Sequence, residues 1–356
     1  MTAKYVWVQW NRHKKVYDLL VVGAVVLSIL GFVGVSAVLQ PGTANEGAPT
    51  LVIRALGVTA IAMLHVILAI GPLARLDRRF APLLYNRRHL GVTMFLVAFL
   101  HGFLSIGYYG GFGENNALSA VLGGYGWGGG VTGVPFEWLG FLALLVLFVM
   151  AATSHDFWLA TLGHRAWKTL HMGVYVAYAL LIAHVGFGAL QGSVSAVYPA
   201  LMGVGVVGLS ALHVAAGVRE NTRDARTQAA DGEGWIEIDT PSDIADGAAR
   251  VICPPGGERI AIFRDGDHLH ALSNVCKHQG GPLGEGRIID GCVTCPWHGY
   301  QYRPGDGQSP PPYTEKVPTY ELRVEGDRVL VKREPNAPGT PTPGVVIPNA
   351  GTGGAS

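Results

Sequence analysis

From Val16 to Val218 almost every residue is apolar or glycine, with only short polar breaks. A helix of about 20 apolar residues crosses a bilayer. Lipid offers no partner for unpaired backbone groups, so helices are what such segments must form. Six segments qualify: Val16–Leu39, Leu51–Leu73, His89–Tyr109, Trp138–Ala152, Leu170–Leu190 and Val197–Val218, the fourth being the shortest. Basic residues fall on one side of them. Fourteen Lys and Arg lie before span one, between spans two and three, between four and five, and directly after six (Arg219, Arg223 and Arg226), and the three alternate loops hold none. By the positive-inside rule both termini face the cytoplasm, which predicts a multi-pass protein of the inner membrane.

The remainder reads as a soluble chain. Charged residues are only 14% of the whole, and most of that share lies outside the spans. With a net charge of +1 and no basic stripe interleaved with aromatics, nucleic-acid binding is excluded. The N-terminus shows no small-residue cleavage site after a short apolar core, so it is read as retained. After a polar linker (223–234), runs such as "RIAIF", "HLHAL" and "RVLVK" alternate with Gly, Asp and Pro turns, predicting a small all-β domain over 235–334. The Pro-, Gly- and Thr-rich tail, 335–356, is expected to be disordered. The resulting fold class is multidomain: a cytoplasmic segment (1–15), an all-α six-helix transmembrane bundle (16–222), then the β domain. No internal repeat of solenoid type is evident.

All four cysteines, Cys253, Cys276, Cys292 and Cys295, lie in the β domain. Such clustering suits a metal or cluster site better than a disulfide framework. Cys276-Lys-His278 and, after sixteen residues, Cys295-Pro-Trp-His298 each supply one Cys and one His. Two Cys and two His can ligate zinc, or a [2Fe–2S] cluster with thiolates on one iron and imidazoles on the other. A zinc finger groups its cysteines apart from its histidines, and the mixed loops favour the cluster. Cys253 and Cys292 are read as buried small residues, and His268 and His270, sharing one strand face, as surface or packing residues.

"CKHQGGPLGEG" and "CPWHGYQYRPGDG" resemble the two signature loops of the Rieske family, and "SPPPYTEKVPTYELRVEGDRVLV" resembles its proline-rich closing loop and last strands. The resemblance implies a [2Fe–2S] cluster held by Cys276 and Cys295 on the inner iron and by His278 and His298 on the exposed one. High-potential members carry a disulfide between the loops, where this chain has Gly281 and Trp297, and a Ser where it has Tyr300. Fewer hydrogen bonds to the sulfurs imply the lower end of the Rieske range of about −150 to +300 mV.

Ionisable residues inside spans are costly and default to function. His65, His89, His101, His171, His184 and His213 lie in the membrane part. Several histidines across neighbouring helices point to haem, whose iron takes axial imidazole. His101 and His184 fall at similar depth in the outer half and form the best pair. His171 lies thirteen residues before His184; at 1.5 Å rise that is about 20 Å, room for a second, inner haem. Its partner could be His65, His89 or His213. "NRRHLGVTMFLVAFLHGFLS" and "HRAWKTLHMGVYVAYALLIAHVGFG" look like spans three and five of the ferric reductase-like transmembrane family, which includes ferric reductases, NADPH oxidases and the haem-bearing partner of a periplasmic methionine sulfoxide reductase. This resemblance implies haem-ligand roles for His101, His171 and His184. Its two-haem members space the span-three pair by thirteen or fourteen, whereas His89 and His101 are twelve apart. Arg54 either snorkels or pairs with a haem propionate, and the Gly-rich loop of residues 110–133, with Tyr125 and Trp127, either lines an acceptor site or simply connects.

No G-x-G-x-x-G follows a strand, so no nicotinamide module is expected. The combined reading is a membrane electron-transfer oxidoreductase of the lipid bilayer. Single electrons pass from a cytoplasmic donor, through the cluster and b-type haem, to a quinone, ferric iron, oxygen or a periplasmic protein. The alternative is a non-catalytic redox sensor with the same cofactors.

Overall fold

The computed structural model describes residues 12–39, 47–84, 86–109, 116, 119, 136–188, 190, 196–225, 234–238, 241–254, 256–297, 299–326 and 328–347. Most of the loop of residues 110–133, with Tyr125 and Trp127, most of the linker, and His298 lie outside the described residues. Two compact units result, one of Met1–Pro72 and Asn86–His213, the other of Leu73–Tyr85 and Val214–Ser356.

The first unit is helical: α1 (Arg12–Leu39), α2 (Ala48–Leu76), α3 (Arg87–Tyr109), α4 (Phe136–Ala152), α5 (Asp156–His171), α6 (Gly173–Phe187) and α7 (Val197–Ala225). The last turns of α2 and α7 belong to the second unit. Among the described residues, five helices are long and apolar enough to cross a membrane, and Phe136–Ala152 is apolar but shorter. Each of the six expected spans is helical over most of its length, the fifth ending at Phe187 rather than Leu190. The fifth begins within α5 and passes through Met172 into α6. The sequence reading missed the earlier turns of α5, which carry mixed polar and apolar residues and a break at Gly163 with φ 74°.

Leu64 and Leu68 of α2, Met94 of α3, Leu147 of α4, Ala177 of α6 and Leu209 of α7 meet in one core. Leu19 and Leu27 of α1 are 72% and 71% exposed, the outward apolar face that lipid covers.

The second unit is β-rich. Three sheets form, in strand orders β1-β10-β9, β11-β4-β3-β2 with β8 also on β4, and β5-β6-β7. Their strands are β1 (Trp235–Ile238), β2 (Ala249–Ile252), β3 (Ile260–Asp265), β4 (His268–Ser273), β5 (Arg287–Ile289), β6 (Cys292–Thr294), β7 (Gln301–Tyr302), β8 (Thr319–Tyr320), β9 (Leu322–Glu325), β10 (Arg328–Lys332) and β11 (Val345–Val346). Side chains alternate across a strand, and β3 shows the consequence. Ile260 and Ile262 enter one core with Leu269 and Val331, while Ala261 and Phe263 enter a second with Leu272, Val293, Tyr302 and both loop cysteines. The strand is therefore the wall between the domain's general core and the one beneath Cys276 and Cys295.

For residues 335–347 the structure differs from the disorder expected of the tail, 335–356. β11 pairs with His268 and Leu269 of β4, and Ile347 is buried in the first core. Asn336 N–H donates to the Thr319 carbonyl at 2.9 Å, and Thr342 N–H to that of Gly305 at 2.7 Å. A segment with so few apolar residues builds no core of its own, but a preformed sheet accepts its N–H groups and its single Val-Val-Ile run. Residues 348–356 lie outside the described set.

Candidate functional site

Two five-residue turns carry the cysteine–histidine pairs, and they are built alike. Cys276 N–H donates to the Gly281 carbonyl at 2.9 Å, and Gly280 N–H returns to the Cys276 carbonyl at 2.7 Å. Nineteen residues on, Cys295 N–H donates to the Tyr300 carbonyl at 2.8 Å, and Gly299 N–H returns to the Cys295 carbonyl at 2.9 Å. Gly280 and Gly299 take φ of 73° and 68°, the left-handed region that glycine enters without a Cβ penalty. The same turn, used twice, presents two thiols toward each other.

Neither thiol is in a disulfide, and the two residues are 1% and 2% exposed. A hydrogen bond from Cys295 pulls the Cys276 thiol down to about 7 against the opposing effect of burial; the Tyr302 hydroxyl and the N–H groups of His278 and Gln279 help. The Tyr302 hydroxyl lies 3.4 Å from Cys276 Sγ and accepts from Lys277 N–H at 3.0 Å. Burial, then the neighbouring Cys276, pushes the Tyr302 phenol up, so it stays a neutral donor. A Cβ at Gly281 would lie 2.7 Å from Cys295 Sγ and 3.1 Å from the Trp297 ring. Trp297 thus fills the gap that a side chain at 281 would need.

Tyr300 does not serve the sulfurs. Its ring stacks on the His278 imidazole at 5.0 Å and 9°, and its hydroxyl donates to the Glu315 carboxylate. Among the described residues no three His, Cys, Asp or Glu form a metal cage, and His298, the fourth member of the expected set, is outside them. Cys253 and Cys292 are half-exposed, not buried as expected. His268 is exposed, and His270 packs against Gly344 of the tail.

In the membrane unit, His101 on α3 and His184 on α6 face each other with ring centres 6.5 Å apart. His101 Nδ1 donates to the Ile53 carbonyl of α2 at 2.8 Å, and His184 Nδ1 to the Phe136 carbonyl of α4, also at 2.8 Å. A carbonyl only accepts, so each Nδ1 carries the proton and each Nε2 keeps its lone pair. Four residues after each carbonyl comes a glycine. A Cβ at Gly57 would sit 3.0 Å from the His101 ring, and one at Gly140 would sit 2.8 Å from the His184 ring. Carbonyl, glycine and histidine recur at an offset of 83 residues: Ile53, Gly57 and His101, then Phe136, Gly140 and His184. This two-copy repeat escaped the sequence reading. Its only trace is "IRALG" against "FEWLG".

The other histidines are differently placed. His65 and His213 donate from Nδ1 to carbonyls of their own helices, and Nε2 of each lies at hydrogen-bond distance from Tyr178 (3.0 Å) and Tyr175 (3.2 Å). His89 lies 3.5 Å from the Asp18 carboxylate of α1. His171 donates to the Trp167 carbonyl at 3.0 Å and stacks on the Trp167 ring at 3.8 Å. Arg54 is exposed on α2, next to Ile53.

The comparisons with known proteins divide at the same place. A family described as "Ferric reductase like transmembrane component" matches residues 56–182, and "Rieske [2Fe-2S] domain" matches residues 234–321. The protein-methionine-sulfoxide reductase heme-binding subunit MsrQ of Caulobacter vibrioides is 32% identical over 49% of this chain and 78% of its own length. The anthranilate 1,2-dioxygenase ferredoxin subunit of Burkholderia cepacia is 41% identical over 24% of this chain and 76% of its own. Ferredoxin CarAc of Metapseudomonas resinovorans is 28% identical over 28% of this chain and 94% of its own.

A [2Fe–2S] cluster and haem b are the groups these matches bring, and the residues fit both. Two buried, unbridged thiols ringed by donors suit anionic sulfur. Two imidazoles with Nδ1 anchored on backbone carbonyls suit metal ligation through Nε2. A metal–imidazole bond is about 2 Å long. Ring centres 6.5 Å apart leave room for a metal that the two imidazoles would hold between them.

Proposed function

Since the chain belongs to the ferric reductase-like transmembrane family in its helical half and to the Rieske [2Fe-2S] family in its β domain, we propose that it carries single electrons from a cytoplasmic donor across the membrane to an acceptor on the outer side. Cys276 and Cys295 hold one iron of the cluster, and His278 and His298 the other. His101 and His184 hold the haem. When bound, both groups are one-electron carriers, so no hydride or proton-transfer residue is needed.

The chain's own residues supply the tuning. The Tyr302 hydroxyl donates toward Cys276 Sγ, while Tyr300 turns its hydroxyl to Glu315 and leaves the sulfurs one donor short. This supports a potential toward the lower end of the Rieske range of about −150 to +300 mV. The Ile53 and Phe136 carbonyls hold the imidazoles in place and keep both Nε2 atoms basic. One-sided Lys and Arg placement supports the cytoplasmic assignment of the β domain.

The observation that carries the proposal is the pairing, in one chain, of two buried cysteines in matching turns with two half-buried imidazoles whose ring centres are 6.5 Å apart. The test is reconstitution of the protein into liposomes. A reductant confined to the β-domain side is added, and an impermeant oxidant on the other side is followed. The oxidant should be reduced at a rate that His184→Ala abolishes. Equal reduction in the wild type and this variant would remove the haem pair from the path.

A further inference from the structure

The spacing of His171 and His184 leaves room for two stacked haems, yet among the described residues opposing imidazoles meet at one level, His101 and His184. We infer that this chain holds a single haem, between His101 and His184, and that Arg88 occupies the place of the missing inner ligand. The inference rests on the assignment of the outer pair proposed above.

The 83-residue repeat carries it. The offset that takes Ile53 to Phe136, Gly57 to Gly140 and His101 to His184 takes Arg88 to His171. The residue that should oppose His171 is therefore an arginine, which is always protonated and has no lone pair for iron. Its guanidinium lies 5.8 Å from the Trp167 ring centre, over the same ring that stacks on His171 at 3.8 Å. Trp167 is itself fixed, its Nε1 donating to the Thr153 carbonyl at 2.9 Å. Arginine, indole and imidazole thus fill the inner station as a stack.

Of the described membrane histidines, His65, His89 and His213 do not replace the lost ligand. His171 Nε2 is buried without a hydrogen bond of ordinary geometry, so this imidazole is open to a metal, and what is lacking is its opposite. His89 is drawn to Asp18, and His65 to Tyr178 with its ring against Gly205. His213 is engaged by Tyr175. Among the described residues none of these three rings stands against His171, whereas His101 and His184 meet ring to ring.

The test counts haem in the purified full-length protein by pyridine haemochrome, with the Rieske EPR signal of each sample as the folding control. The wild type should hold one haem per chain, and His171→Ala should still hold one. A wild-type ratio of two, or a fall in His171→Ala with the EPR signal intact, would overturn the inference. Arg88→His restores the repeat and should raise the ratio toward two; a ratio that stays at one removes Arg88 as the reason. Failure of the underlying assignment reads differently, as full haem in His101→Ala.

Discussion

The two candidate cofactor sites are each made by using one motif twice, at very different ranges. In the β domain the copies are nineteen residues apart, and each is a closed turn that sets its own cysteine. In the membrane the copies are 83 residues apart, and neither histidine is oriented by its own helix. His101 takes its orientation from a carbonyl 48 residues earlier, and so does His184. A site of local turns stands on backbone hydrogen bonds, whereas a site between helices stands on packing. The first should tolerate changes in distant elements, and the second should fail when a neighbouring helix gains one methyl group.

The largest effect expected from this contrast is loss of haem. His101→Ala and His184→Ala should each empty the outer pair while the Rieske EPR signal persists, and optical and EPR spectra of one sample read both. Loss of both signals together would mean that the two sites do not stand independently. Next come the glycines. Gly140→Ala places a methyl 2.8 Å from the His184 ring, and Gly57→Ala places one 3.0 Å from His101. Displaced ligands of this kind cost about 10–100-fold in affinity, so haem titration of the apoprotein should show weakening by that order, Gly140→Ala the more. Unchanged affinity in both would break the idea that the glycines open the path to the carbonyls.

In the β domain the matching test is Gly281→Ala, whose methyl meets Cys295 Sγ at 2.7 Å. Overpacking of this kind costs about 1–3 kcal/mol, and cluster content per chain should fall. Truncation after Glu334 removes β11 and the buried Ile347. Burial of such a side chain contributes about 1.5–3 kcal/mol, so the melting temperature of the domain should drop while its EPR line shape stays the same. The smallest effect is expected for Tyr302→Phe, which deletes the hydroxyl 3.4 Å from Cys276 Sγ. Losing about 1 kcal/mol of donor stabilisation of the reduced state lowers a one-electron potential by about 40 mV. Redox titration followed by EPR measures it, and a rise would contradict the donor role.

What could be read in advance follows the same contrast. The apolar helices were legible because lipid makes apolar length a direct signal, and the cysteine–histidine loops because their geometry is local to a few residues. The tail misled because its composition describes what it can build alone. Asn336, Thr342 and Ile347 find their partners in strands already formed. Likewise, Cys253 and Cys292 were expected to be buried on residue type, but the fold leaves both half-exposed.

By itself the sequence determined a membrane bundle followed by a β domain, and it singled out a cysteine–histidine quartet and six membrane histidines as candidate ligands. Each is set by residues close in the chain or by bulk apolarity. Only the tertiary structure decided which histidines meet. His65, His171 and His213 donate to carbonyls of their own helices, as a helical histidine readily can. His101 and His184 reach the backbone of a neighbouring helix through the gap that a glycine leaves. That choice depends on contacts across tens of residues, which hydropathy does not record.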